Sequence, residues 1–180
     1  MKDYSQHGEQ IIIRDLVEEL GIDGGWIVEC GAWDGKCFSN VFSLIVDGNF
    51  QAVDIEGDKG RFKKLLVTAE QYPSIIPINS YVDLDKNKLE LLLEKTTLPK
   101  EFEILNIDID SIDYQIWDSL KKYSPKIVII EYQPRRKEDF IDDGTAPRGS
   151  SKDSLIKLGE SKGYSLRKEI SCNLIFVKND

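Results

Sequence analysis

The stretch Trp26-Ile27-Val28-Glu29-Cys30-Gly31-Ala32-Trp33-Asp34-Gly35 decides how the chain is read. Gly24-Gly25 and Gly31 bound an apolar run, so Trp26 to Cys30 is expected to be a short buried strand. An acidic residue and then G-x-x-x-G follow, leading toward a helix. Glycines at such a turn let backbone come close to a ligand, and amides near a helix start suit a carboxylate or phosphate. The dinucleotide fingerprint G-x-G-x-x-G is not met: Trp33 stands where its second glycine would be and would crowd a pyrophosphate. By itself G-x-x-x-G fits a plain strand-to-helix turn equally well.

Upstream, Gly8 to Leu20 carries Ile12, Ile13, Leu16, Val17 and Leu20 at helical spacing, closed by Gly21. Downstream, Phe38 to Val46 is expected to be helical, with Ser39 as N-cap and Gly48 past its end. Gln51 to Ile55 reads as the second strand, and a basic helix through Lys63 and Leu66 runs to Tyr72, where Pro73 stops it. Ile75 to Ile78 reads as a sheet-edge strand, because Pro77 removes a ladder donor. Asn87 to Lys95 is expected helical, Glu103 to Asp110 a strand, Ile112 to Tyr123 a helix, and Lys126 to Glu131 the clearest buried strand. Arg135 to Ser150, with Gly144, Pro147 and Gly149, reads as a long loop, and Ser151 to Lys162 as the last helix. Tyr164 to Ile170 and Cys172 to Lys178 are joined too tightly for a crossover and must be antiparallel. Strands alternating with helices imply an α/β fold, a mostly parallel seven-stranded sheet covered on both faces and closed by that hairpin. Ligands in such folds bind at the carboxyl ends of the strands, where strand order reverses.

The whole chain of 180 residues suits a single domain and a core that needs no disulfide or metal staple. With 24 Lys and Arg against 32 Asp and Glu, the net charge of −8 argues against nucleic acid and anionic membranes as partners. No apolar run approaches the ~18 residues of a membrane span, and the polar start carries no signal-peptide pattern. Three cysteines (Cys30, Cys37, Cys172) without C-x-x-C, beside the single His7, fit a reducing cytoplasm and small buried thiols.

The other strand ends supply chemistry. Glu56 ends the second strand about 20 residues after Gly35, the place from which a carboxylate accepts both hydroxyls of a ribose. Asp83, after the third strand, is placed to meet an adenine amino group, although Asp is also a common turn residue. If the fourth strand runs to Asp110, alternation sets Asn106, Asp108 and Asp110 on one face at the ligand end. Asp113 is assigned to holding the next helix. Glu131, after four apolar residues, points to the same cleft or to a structural ion pair. Arg135-Arg136-Lys137 reads as a solvated face or as a flexible lid over an anionic substrate.

Together, Ser5-Gln6-His7-Gly8-Glu9, VECGAWDGKCFSN, IEGD, NIDIDSIDYQIW and VIIEYQP resemble the FkbM-like methyltransferases. The most specific parts of the resemblance, which spans most of the chain, are ECGAWDG and NIDIDSIDY. It implies the class I, Rossmann-like fold, S-adenosylmethionine as cofactor, and transfer to an oxygen of a small metabolite, such as a sugar, a nucleotide-linked sugar or a phosphorylated group. It implies that Glu29, Gly31, Ala32, Asp34 and Gly35 line the methionine part, Glu56 the ribose and Asp83 the adenine, while Asp108 and Asp110 face the methyl group and acceptor; Glu131, by its own place at a strand end, is a further base candidate. Ser111 stands where the family often has Gly, and Asp54 takes a usually apolar strand position. The partner expected is a small-molecule or glycan-precursor acceptor; the sequence leaves monomer or homo-oligomer open.

Two like-charged carboxylates side by side act either as a base with a raised pKa or as hard ligands for Mg²⁺ or Mn²⁺. ILNIDIDSI also matches the D-x-D nucleophile of haloacid-dehalogenase-like phosphatases, but that motif belongs on a first strand with much more chain after it. A non-catalytic nucleoside-binding module is the third reading.

Overall fold

The structure, a computed structural model, describes residues 3–47, 49–137, 139–145 and 149–179. Gly48 and Pro147, expected past the second helix and within the long loop, lie outside the described residues.

Seven strands form one sheet: β1 (Gly25–Cys30), β2 (Phe50–Glu56), β3 (Ile75–Asn79), β4 (Glu101–Ile107), β5 (Ser124–Glu131), β6 (Tyr164–Ile170) and β7 (Asn173–Lys178). Their order is β3-β2-β1-β4-β5-β7-β6, parallel from β3 to β5, with β7 antiparallel to both β5 and β6. The closing hairpin and the edge position of Pro77 in β3 are as the sequence predicts. Strand order reverses between β1 and β4.

Helices α1 (Glu9–Glu19), α2 (Phe42–Asp47) and α3 (Lys59–Gln71) cover one face; α4 (Leu89–Leu93), α5 (Asp113–Ser119) and α6 (Lys152–Ser161) cover the other. Alternation along β1 sends Ile27 into the first layer, with Ile13, Phe42 and Leu65, and Val28 and Cys30 into the second, with Leu93, Trp117 and Leu155. Cys30 is buried, as expected, whereas Cys37 is exposed and Cys172 half-buried. Among the described residues, no helix is long and apolar enough to cross a membrane.

Three expectations are corrected. The second helix begins at Phe42, not Phe38: Phe38 has φ 62, outside the helical region, and Ser39 Oγ accepts the N–H of Phe42 at 3.0 Å. The fourth strand ends at Ile107, short of the Asp110 that alternation requires, and Asp110 has φ 61. The loop after β5 holds no helix or strand among its described residues, but it is not free along its length. Asp142 is fully buried, accepting the N–H groups of Gly144 (2.8 Å) and Gly149 (2.9 Å) and donating its own to Ser150 Oγ. Ser151, the N-cap of α6, donates its N–H to the Phe140 carbonyl at 2.8 Å. The ends of the loop are therefore fastened to the helix that follows it.

On the α1–α3 face the sheet buries two acids in register on neighbouring strands, Glu29 of β1 and Asp54 of β2. Glu29 is satisfied by hydrogen bonds. Asp54 is fully buried, and among the described residues neither of its oxygens has a hydrogen-bond partner. Burial, then the charge of Glu29, pushes the Asp54 carboxyl well above the usual carboxylate range. Burial also pushes Glu29 up to about 7, against the hydrogen bonds from Ser39 and Asn106.

Both groups bind protons more tightly folded than unfolded, so their contribution to stability is full below about pH 4 and is lost as pH rises through the folded values. For Glu29 that window runs to about pH 7. We predict that Asp54→Asn, neutral at every pH, flattens this dependence. Its Tm should exceed wild type by several degrees at pH 8, at roughly 2–4 °C per kcal/mol for a chain of this size, and the difference should shrink steadily as pH falls, closing only below about pH 4. Parallel Tm-against-pH curves for the two proteins, followed by circular dichroism, would refute the assignment.

Candidate cofactor and acceptor site

A cavity of about 760 Å³ opens at the carboxyl ends of β1, β2, β4 and β5, across the reversal of strand order. That is the size of a small-molecule site, and its position is the one the sequence predicts. Its wall contains Glu29, Gly31, Ala32, Glu56, Asp108, Asp110 and Glu131, seven of the ten site candidates.

Glu29 forms the floor. Its two oxygens accept from Ser39 Oγ (3.0 and 2.9 Å), and Oε1 also accepts from Asn106 Nδ2 at 3.0 Å. Asn40 Nδ2 donates to Asn106 Oδ1 at 3.3 Å, so a polar cluster closes the site beneath Gly31. Gly31 has φ 89, and a Cβ there would stand 1.9 Å from the Asp108 carbonyl oxygen. Only glycine lets the turn after β1 lie against the chain leaving β4.

Glu56 joins two loops: Oε2 accepts the Trp33 N–H at 2.9 Å and Oε1 the Asp58 N–H at 2.6 Å. Each oxygen keeps a further acceptor site, so two vicinal hydroxyls can still be received. The Tyr81 ring, 69% exposed, lies where a Cβ on Gly57 would be, and offers an aromatic face to a base.

Three predicted cofactor residues stand elsewhere. Asp34 Oδ1 accepts the N–H groups of Lys36 and Cys37 and shapes its own turn. Gly35, with φ 77, packs against Leu65, Asp54 and Thr68, beneath α3 rather than in the cavity. The Asp83 carboxylate accepts the backbone N–H of Asn87, then that of Asp85, and the Asn87 side-chain amide, which keep it below the usual carboxylate range. Its neighbours Ser80, Tyr81 and Val82 line the wall instead.

At the other end of the cavity, Asp108, Asp110 and Glu131 bring one oxygen each within 4.8 Å of one another. Alternation does not align Asp108 with Asp110; a loop does. Asp113, fully inside, accepts the N–H groups of Ile109 and Ser111 at 2.9 Å each and folds residues 108–111 back over β4. This is the structural role expected of Asp113, exerted on the loop rather than on the helix end. Asp108 opens to the cavity but is ringed by protein elsewhere. That desolvation, then Glu131, Asp113, Asp110 and Glu29, pushes it up to about 8. Desolvation also raises Glu131, whose neighbour Cys172 is pushed up to about 12 and is no nucleophile near neutral pH.

Arg61 and Phe38 line the wall without having been singled out as site residues in the sequence, and Gln6, of the stretch Ser5 to Glu9, lines it too. The Arg61 guanidinium lies 4.3 Å from the Trp33 ring centre, and Phe38 meets Trp33 edge-on at 5.9 Å. Both Trp33 (φ 52) and Phe38 (φ 62) hold left-handed backbone, uncommon for bulky residues. No local pattern announces this. His7 is exposed near the N-terminus, and neither it nor Arg135 to Lys137 is in the wall.

No family model matches the sequence, and no curated protein matches it. Solved structures do share its fold. The N-terminal domain of EvdMO1, crystallised with S-adenosylhomocysteine and D-fucose, superposes with a TM-score of 0.62 at 12% identity, covering 95% of this chain and 82% of that one. An S-adenosylmethionine-dependent methyltransferase from Clostridium acetobutylicum gives 0.57 at 12% identity, covering 99% and 93%. The [4+2]-cyclase SpnF gives 0.57 at 13% identity, covering 88% and 59%. The fold is the Rossmann-like fold of class I methyltransferases. At such identities it establishes architecture, and the cyclase shows that one architecture hosts more than one chemistry. Nothing in these likenesses is particular to the FkbM-like family.

We predict that Gly31→Ala costs more than the ~1 kcal/mol of a strained left-handed alanine, because its Cβ also strikes the Asp108 carbonyl. Gly163→Ala, with φ 82 and open space around it, serves as the comparison. Urea melts should place Gly31→Ala clearly below Gly163→Ala; equal losses would mean the two loops do not meet as described.

Proposed function

We propose that the protein is an S-adenosylmethionine-dependent methyltransferase acting on an oxygen of a small metabolite, a sugar-like compound in glycan or secondary-metabolite biosynthesis. The observation that carries this reading is that one cavity joins the strand-tip carboxylate Glu56 to an acidic trio across the reversal of strand order. The sugar in the EvdMO1 structure and the cofactor product bound there support the same class.

The residues present fit the cofactor. Glu56 would receive the ribose hydroxyls, Tyr81 would face the adenine, and Gly31 with Ala32 would leave room for the methionine part above Glu29. Bound there, the cofactor supplies a methyl group on a sulfonium, open to in-line attack. The protein's own work is then to align an acceptor hydroxyl and to take its proton. Alignment alone can lower the barrier by roughly 7–11 kcal/mol. Asp108, held near pKa 8 by its surroundings, is a base matched to neutral pH. Asp110 and Glu131 keep it so by their charge, and Asp113 sets its position through the loop. A shared proton, rather than a divalent cation, is the arrangement we read here.

Two experiments test this. Calorimetry should show S-adenosylhomocysteine binding to the wild-type protein. Glu56→Ala should weaken it by about 1.5–3 kcal/mol, the range for hydrogen bonds to charged groups, and Glu56→Gln by less. Undiminished affinity in Glu56→Ala would remove the ribose assignment.

Once an acceptor is in hand, Asp108→Asn should lower turnover by roughly 10²- to 10⁴-fold with little change in cofactor affinity. Chelator should leave wild-type activity intact; loss restored by Mg²⁺ or Mn²⁺ would assign the trio to a cation instead. Wild-type turnover should rise with pH as Asp108 ionises, levelling above about 8.

A further inference from the structure

We infer that Gln6, carried on a strap of chain that runs from α2 to β7, holds the carboxylate of the cofactor's methionine part. The inference rests on the methyltransferase reading and deepens it by naming a binding residue that belongs to no strand tip.

Residues 4–8 form no helix or strand, and a stretch of that kind ahead of a helix frays unless it is tied down. Here the first two residues of α1, Glu9 and Gln10, are both buried, and their side chains turn back to hold it. Gln10 Oε1 accepts the Tyr4 N–H at 3.1 Å, and the Gln10 N–H goes to Ser5 Oγ at 3.3 Å. Glu9 Oε2 accepts the His7 N–H at 2.7 Å, while its Oε1 accepts from Asn173 Nδ2 at 3.3 Å, at the start of β7. At the other end the Tyr4 ring meets Phe42 of α2 edge-on at 4.8 Å. Phe42 in turn gives its N–H to Ser39, whose hydroxyl rests on Glu29. Between these tethers Gln6 is exposed, and it lines the cavity together with Glu29, Gly31, Ala32 and Ser39. Burying two polar side chains to fix a strap is costly unless what the strap carries has a use.

The methionine part ends in an ammonium and a carboxylate. Glu29 suits the first and repels the second, so the carboxylate needs N–H donors from another side. The turn after β1 has already spent its own. The N–H groups of Gly31 and Ala32 both go to the Ile55 carbonyl, at 3.0 and 3.1 Å. That of Trp33 goes to Glu56 at 2.9 Å, and that of Gly35 to the Ala32 carbonyl at 2.7 Å. The Ser39 hydroxyl is committed to Glu29, and the Asn40 amide to Asn106. The Gln6 carboxamide offers two N–H groups at the same wall, on the side where Tyr4 packs into the same apolar layer as Ala32 and Phe42. A neutral amide donating to a carboxylate forms the stronger, charge-assisted kind of hydrogen bond.

The test is calorimetry on the full chain with two probes: S-adenosylhomocysteine, and S-adenosyl-3-thiopropylamine, the same molecule without its carboxylate. In the wild-type protein, loss of the carboxylate should weaken binding about tenfold or more, the scale of one hydrogen bond to a charged group. In Gln6→Ala the two probes should bind alike, because S-adenosylhomocysteine falls to the level of the amine. Gln6→Glu keeps the shape but sets a like charge against the carboxylate, and should favour the amine. If the carboxylate contributes as much in Gln6→Ala as in the wild type, or nothing in the wild type, the inference is overturned while the methyltransferase reading stands. If neither probe binds the wild-type protein, that reading itself falls.

Discussion

Everything at the functional end of this molecule depends on the burial of one carboxyl group, Glu29. It sits on the central strand β1, in register with Asp54 of β2 on one side and Asn106 of β4 on the other. Its hydrogen bonds to Ser39 and Asn106 connect three separate pieces of chain: the sheet, the turn before α2 and the end of β4. Ser39 in turn caps α2, accepting the N–H groups of Val41 and Phe42. An unpaired charge at that depth would be very costly, so the polar cluster around it is required once an acid is placed there. What the arrangement achieves is a floor that cannot sag, with the Gly31 turn lying directly above it.

From that floor the cavity divides by charge. On the β2 side, Glu56 spends one acceptor site per oxygen on backbone N–H groups and so fixes Trp33 and Asp58 while remaining able to receive a ligand. On the β4 and β5 side, Asp113 serves geometry: buried, with one oxygen accepting the N–H of Ile109 and the other that of Ser111, it holds the loop that presents Asp108 and Asp110. The acids thus fall into two groups. Glu29, Glu56 and Asp113 accept hydrogen bonds from other pieces of chain and position them, and Asp108, Asp110 and Glu131 turn their carboxyl groups to the cavity. Asp54 belongs to neither group. It is buried without a hydrogen-bond partner, and its cost falls on the stability of the fold at higher pH.

The sequence by itself determined the order and type of nearly every element, because apolar periodicity, glycines and prolines are local signals read at the residue that carries them. It also placed the cavity, since strand order and crossover rules restrict where a mixed sheet opens. Glu29, Gly31, Glu56, Asp108 and Glu131 were legible because acids and glycines at the tips of apolar strands need a reason to be there. Tertiary structure alone decided which neighbours of these residues share the cavity. Asp34, Gly35 and Asp83 are within a few residues of it, yet turns of their own direct them elsewhere, and side-chain direction in a turn depends on backbone angles that residue identity does not fix. Asp110 reached the trio by a left-handed turn and the pull of Asp113, not by strand alternation. Arg61, Phe38 and Tyr81 entered the wall only because the loops after β1, β2 and β3 fold toward one another, and contacts between segments so far apart in the chain leave no periodic trace in it.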